Sequence, residues 1–180
     1  KDTKFYYYLI NETPIPTVGM AVEFKSQSYC EVYNNYIANA DKGIVVGLGE
    51  KSARKNYSVT NIIVRNNVIY ESKYAGIEVA AYGSENTASR ICTVKNVNIF
   101  NNTIYGQKHS HGIKVLNNPQ ISESFLENVA IRNNIMMNIG GPAGKTETYG
   151  GALVKNLIID HNLFYGCGKN DWVGSTVKNT

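Results

Sequence analysis

An asparagine pair recurs along this chain and constrains how it can fold. Asn34-Asn35, Asn66-Asn67, Asn101-Asn102 and Asn133-Asn134 match one another, and His161-Asn162 is a degenerate fifth copy. The second asparagine returns after 32, 35, 32 and 28 residues. A period in this range marks stacked supersecondary units, and it governs every local assignment.

Apolar columns surround the pair. Three residues before the second asparagine stand Val32, Val64, Ile99, Ile131 and Ile159; five before it stand Cys30, Ile62, Val97, Val129 and Leu157. Two residues after it come Ile37, Ile69, Ile104, Met136 and Phe164. A period of two, rich in β-branched residues, describes short strands with one buried face. A helical period fits none of it. Another asparagine recurs six positions before the pair's second member, as Asn61, Asn96, Asn128 and Asn156, with Tyr29 breaking the column in the first copy. Farther along comes Gly-Ile-x-Val at Gly43, Gly76 and Gly112, with looser versions at Gly19 and Gly151. Asparagine tolerates the left-handed backbone of a tight turn. Stacked amides can also hydrogen-bond from rung to rung. Strands closing one rung per repeat make an all-β, single-stranded parallel β-helix of about five rungs.

The segment N-x-x-I-x-N-N-x-I from Asn61 to Ile69 resembles the generic repeat of the right-handed parallel β-helix (pectate-lyase-like) superfamily, and the resemblance runs from about Gly19 to Cys167. It implies the right-handed solenoid. For function it implies only a range, because such rungs serve lyases, hydrolases, epimerases, tailspikes and adhesins. By analogy with that superfamily the protein is expected outside the cell or on its surface.

The length of 180 residues suits one domain. Residues 1–17 read as an extended cap or the remains of a preceding rung, and residues 168–180 as a tail or truncated rung. Both ends read as open, which fits a piece of a longer β-helix or ends that pair with a second copy. A net charge of +4 is compatible with an anionic polymer, and the absence of a dense Lys/Arg run argues against nucleic acid. No apolar stretch is long enough to span a membrane. Three cysteines without pattern form neither a disulfide framework nor a metal site, and Cys30 falls in an inward column as a core thiol. No cofactor or metal is expected.

In repeat proteins, loops that vary between copies gather on one face. Here they flank the Gly-Ile-x-Val strand, so its outward column (Ala21, Val45, Glu78, Lys114, Leu153) becomes the expected floor of a groove. Neighbouring rungs lie about 4.8 Å apart, which sets Glu78 beside Lys114. Lys73, Tyr74, His109 and His111 fall on the near wall, with the segment from Ile139 to Gly150, and Arg90 on the far wall. A lyase acting on an acidic polysaccharide needs a base for the α-proton and a cation for the sugar carboxylate. Lys114, His111 and Arg90 are the candidate catalytic set, with Glu78, His109, Lys73 and Tyr74 binding substrate. The plain alternative is a surface Glu78–Lys114 pair worth about 0–1 kcal/mol beside solvated histidines. The four aspartates are scattered. They offer neither the carboxyl pair of a glycoside hydrolase nor the Asp cluster of a calcium-dependent pectate lyase. On a second face, Tyr33, Arg65, Phe100, Arg132 and Asp160 form an outward column that could stack sugars or bind carboxylates, with Arg65, Arg132 and Phe100 as binding residues. Mutual Arg–aromatic packing is its plain alternative. Two functions follow: a carbohydrate-active or polysaccharide-binding protein, lyase-like if catalytic, or a non-catalytic adhesin- or tailspike-like segment.

Overall fold

The computed structural model describes residues 3–6, 9–11, 20–48, 56–82, 91–107, 111–118, 124–148, 154–168 and 176–178. In chain order the strands are β1 (Thr3–Tyr6), β2 (Leu9–Asn11), β3 (Met20–Phe24), β4 (Ser28–Tyr33), β5 (Tyr36–Ala38), β6 (Lys42–Leu48), β7 (Tyr57–Arg65), β8 (Val68–Tyr70), β9 (Ala75–Tyr82), β10 (Cys92–Phe100), β11 (Thr103–Tyr105), β12 (His111–Asn118), β13 (Ser124–Arg132), β14 (Ile135–Met137), β15 (Gly144–Thr148), β16 (Lys155–Asp160), β17 (Leu163–Tyr165) and β18 (Thr176–Lys178). All named pairings are parallel, and they form three sheets. Sheet A runs β1-β4-β7-β10-β13-β16-β18, sheet B runs β2-β5-β8-β11-β14-β17, and sheet C runs β3-β6-β9-β12-β15. The chain is a parallel β-solenoid, without helix among the described residues. About five rungs were expected; three turns, β4–β6, β7–β9 and β10–β12, have every strand paired on both sides. The segment before Pro14 supplies β1 and β2, which pair with β4 and β5 as a further rung rather than as a separate cap.

The core is the set of inward columns. Val32, Val64, Ile99 and Ile131 are fully buried, and so are Ile37, Ile69, Ile104 and Met136. Cys30 lies in the same core, 2% exposed.

Each corner has its own chemistry. Between sheets A and B, the first residue of each pair takes a left-handed conformation: Asn34, Asn66, Asn101, Asn133 and His161 have φ between 53 and 57°. The second asparagine turns inward and builds a buried ladder. Asn35 Nδ2 donates to Asn67 Oδ1 at 2.9 Å, Asn67 to Asn102 at 3.0 Å, Asn102 to Asn134 at 3.0 Å and Asn134 to Asn162 at 2.9 Å. The other recurrent asparagine bends each sheet A strand midway and forms an outer, exposed ladder. Asn96 donates to Asn61, Asn128 to Asn96 and Asn156 to Asn128, at 3.0, 2.9 and 2.8 Å.

At the start of the sheet C strands, glycine is required by close approach. A Cβ on Gly76 would sit 2.6 Å from Ile104 Cγ2 and 2.8 Å from the Gly112 carbonyl oxygen. The backbone carbonyl of the next rung cannot yield as a side chain would. Gly76→Ala is expected to destabilise the chain by about 2–3 kcal/mol, as overpacking of a filled core does, measured by urea unfolding. A loss below about 0.5 kcal/mol, within the range of ordinary surface changes, would refute that account.

Two sequence expectations for sheet C are corrected. Val22, not Met20, pairs with Ile44, and Lys114 pairs with Lys145. The outward column of the described residues is therefore Glu23, Val45, Glu78, Lys114 and Lys145, without Ala21, and Leu153 lies outside the described residues. The strand of the fourth rung comes from Gly144–Thr148, inside the segment expected as a loop wall. The cause is local: Ile139 is buried at the corner and Ile113 N donates to Ala143 O at 2.8 Å, so the chain enters sheet C at once.

Candidate functional site

The outer face of sheet C is not the open floor expected from the sequence. Val45 and Ala80 are fully buried, and Leu116 is nearly so. Glu78 is 3% exposed, and its Oε1 accepts a hydrogen bond from Lys42 Nζ at 2.7 Å. Lys42 belongs to the first residue of β6, in register with Ala75, and reaches across to the carboxylate. Glu78 thus anchors a shielded ion pair and does not present a free carboxylate to a ligand. Its expected neighbour in register, Lys114, is confirmed.

Of the catalytic candidates, His111 and Lys114 stand three residues apart on β12, a span of about 10 Å along a strand. Arg90 and His109 lie outside the described residues. Lys73 and Tyr74 form an exposed turn of their own. The Lys73 ammonium sits 4.8 Å from the Tyr74 ring centroid and 3.9 Å from Asp41 Oδ1. Its pKa lies above the ordinary lysine value, first through hydrogen bonding to Tyr74, then through the charges of Tyr74 and Asp41. Among the described residues no group of three His, Cys, Asp or Glu is arranged to hold a metal ion.

Sheet A presents a different surface. Register sets Tyr33, Arg65, Phe100, Arg132 and Asp160 side by side across successive rungs, as the spacing predicted. The Arg65 guanidinium lies 4.2 Å from the Tyr33 ring centroid and pairs with Glu31. Arg132 Nε lies 3.1 Å from Asp160 Oδ1. Lys95 is 3.2 Å from Glu127, and Lys155 is 4.0 Å from the same carboxylate. The face therefore carries charge of both signs, largely paired.

A surface groove of about 370 Å³ crosses β4, β7 and β10 on this face, lined by Tyr29, Cys30, Glu31, Asn61, Ile63, Asn96 and Asn98. Tyr29 stands in the column of the outer ladder, between the register pairs Ser28–Thr60 and Cys30–Ile62. It has φ +58° and is 64% exposed. The left-handed region costs a bulky L-residue roughly 1–2 kcal/mol, and asparagine fills it in the other four copies. The sequence flagged this position as a break in the column. It could not show that Glu31 and Asn98 meet it in one groove, since they belong to a neighbouring outward column, Glu31–Ile63–Asn98.

Sheet B carries a largely apolar outward column, interrupted by Thr103 between Val68 and Ile135. Tyr36, Val68, Ile135 and Leu163 share one outward column and are each at least 37% exposed. Beside it Tyr70 and Tyr105 are in register, their rings stacked at 5.4 Å. The chain is matched by no protein-family profile, no curated protein and no solved structure.

Proposed function

We propose that this chain is a polysaccharide-binding β-solenoid of the right-handed, pectate-lyase-like kind, acting outside the cell or on its surface, and that the outer face of sheet A is its binding surface. One observation carries the proposal: an exposed ladder of four asparagine amides runs parallel to a column of aromatic and guanidinium groups on the same face, with the Glu31–Ile63–Asn98 column between them, at the same rung spacing. A linear polymer of sugars offers the matching pattern, hydroxyls at regular intervals and apolar ring faces between them. Amides donate and accept, and aromatic and Arg planes supply stacking surfaces.

Affinity electrophoresis through gels containing neutral or acidic polysaccharides tests this reading. The wild-type chain is expected to be retarded by at least one polymer. Phe100→Ala and Arg132→Ala are expected to weaken that retention roughly fivefold each, the equivalent of about 1 kcal/mol per stacking contact. Retention indifferent to both substitutions would remove sheet A from the binding surface.

A second reading, β-elimination on an acidic polysaccharide, draws on Lys114 and Lys145 lying in register on sheet C, with His111 at the start of the same strand as Lys114. Incubation with polygalacturonate, followed by the ultraviolet absorbance of the unsaturated product, separates the two. A signal lost in Lys114→Ala would establish the lyase, and a flat trace favours binding alone.

A further inference from the structure

We propose that the groove at Tyr29 is a subsite for one neutral hexopyranose unit, the point at which a polysaccharide on sheet A is gripped. The inference rests on the reading of sheet A given above and adds the class of sugar and the residues that take it.

The first argument is the way the outer ladder ends. Each of its amides donates from Nδ2 to the Oδ1 of the preceding rung, from Asn156 back to Asn61. Asn61 is the last link, and its Nδ2 has only a long contact of 3.4 Å to Thr60 Oγ1 among the described residues. The position that would supply the next Oδ1 is Tyr29. The ladder thus arrives at the groove with a donor for which the next rung provides no amide acceptor. A sugar hydroxyl supplies one.

The second argument is the ring. Tyr29 holds an unfavourable backbone conformation and leaves most of its surface in water. Strain retained at a groove points to use rather than to packing. An exposed tyrosine is a flat apolar platform with a polar tip, suited to the C–H face of a pyranose. The groove's volume falls at the small end of the range for ligand sites, about 300–1,000 Å³, and three amides and a carboxylate line it around the ring.

The third argument selects a neutral sugar. Glu31 lines the groove and would oppose a sugar carboxylate. The cations that register brings nearest, Arg65 and Lys95, are each held by a carboxylate, Glu31 and Glu127. Hydroxyl recognition needs no free charge, and the Asn61, Asn96 and Asn98 side chains can both donate and accept.

The experiment is affinity electrophoresis of the full chain through galactomannan, xyloglucan, mixed-linkage β-glucan and polygalacturonate, at low and high salt. The expected result is retention by a neutral polymer, unchanged by salt. Tyr29→Asn is expected to weaken it at least about tenfold, as loss of a central aromatic anchor does, while leaving the melting temperature equal or higher because asparagine continues the ladder without strain. Tyr29→Gly, which takes the left-handed backbone freely, serves as a second variant and is expected to lose binding likewise. Tyr29→Phe is expected to bind. Neutral-polymer retention that survives both Tyr29→Asn and Tyr29→Gly overturns the subsite. So does retention by polygalacturonate alone, although loss of that retention in Arg132→Ala would leave the sheet A reading standing. Absence of retention by every polymer overturns the subsite and the sheet A reading together.

Discussion

Asn102→Ala is expected to destabilise this chain by about 4 kcal/mol. The side chain is 1% exposed. Its Oδ1 accepts from both the backbone N and the Nδ2 of Asn67, each at 3.0 Å. Its Nδ2 donates to Val64 O, Phe100 O and Asn134 Oδ1, at 3.0, 3.1 and 3.0 Å. Alanine leaves Asn67 N and Val64 O without these bonds in the buried interior, at about 1–3 kcal/mol for each unsatisfied group, whereas Asn134 Oδ1 keeps the backbone N of residue 102, Asn67 Nδ2 keeps Val32 O and Phe100 O keeps Asn66 N. Asn102→Asp is expected to be no better, because a carboxylate cannot donate to three oxygens. Asn128→Gly in the outer ladder, which keeps the left-handed backbone without strain, offers the contrast: its amide bonds are exposed, water replaces them, and the loss should stay below about 1 kcal/mol. Urea unfolding of the three variants decides the matter. Equal losses at 102 and 128 would mean that burial of the ladder is not what gives it its value.

The second large effect is expected at the ion pair under sheet C's outer surface. Lys42 and Glu78 side chains are 15% and 4% exposed and 2.7 Å apart. Lys42→Met keeps the aliphatic stem and removes the charge. It leaves a buried carboxylate uncompensated, which costs about 3–5 kcal/mol. The double variant Lys42→Met with Glu78→Leu is expected to recover most of that loss, since a buried pair replaced by apolar groups of similar volume is often neutral or stabilising. Failure of the double variant to recover would assign the cost to packing of the lysine stem rather than to the stranded charge.

The inward half of this fold is legible in the sequence because one constraint, burial on a period of two, acts alone there. Val64, Ile69 and Ile99 can be placed without coordinates. The outward half is harder, because several constraints compete. Gly151-Ala152-Leu153-Val154 matches the glycine motif better than Gly144 does, but entry into sheet C is decided by where the corner at Ile139 releases the chain. Glu78 and Lys114 are neighbours in register, as their spacing says. The partner that takes the Glu78 carboxylate is Lys42, whose long side chain crosses from the edge of the strand and obeys no column. Arg65 and Arg132 are legible as a stripe, whereas their pairing with Glu31 and Asp160 depends on side-chain reach. Tyr29 is the instructive case. A broken column was visible, but its meaning depends on the groove around it.

The two asparagine ladders point in opposite directions along the solenoid axis. In the buried row four Nδ2 groups donate toward the later rung, and in the exposed row three donate toward the earlier one. Amide groups carry dipoles of about 3.5 D, and in an α-helix their alignment accumulates into opposite partial charges at the two ends. Here four amides face one way and three the other, so the rows cancel to within a single group. Each added rung would contribute one amide to either row. A filament of such rungs could therefore grow in length without growing more electrically polarised, and its tips would need no counter-charge to hold them.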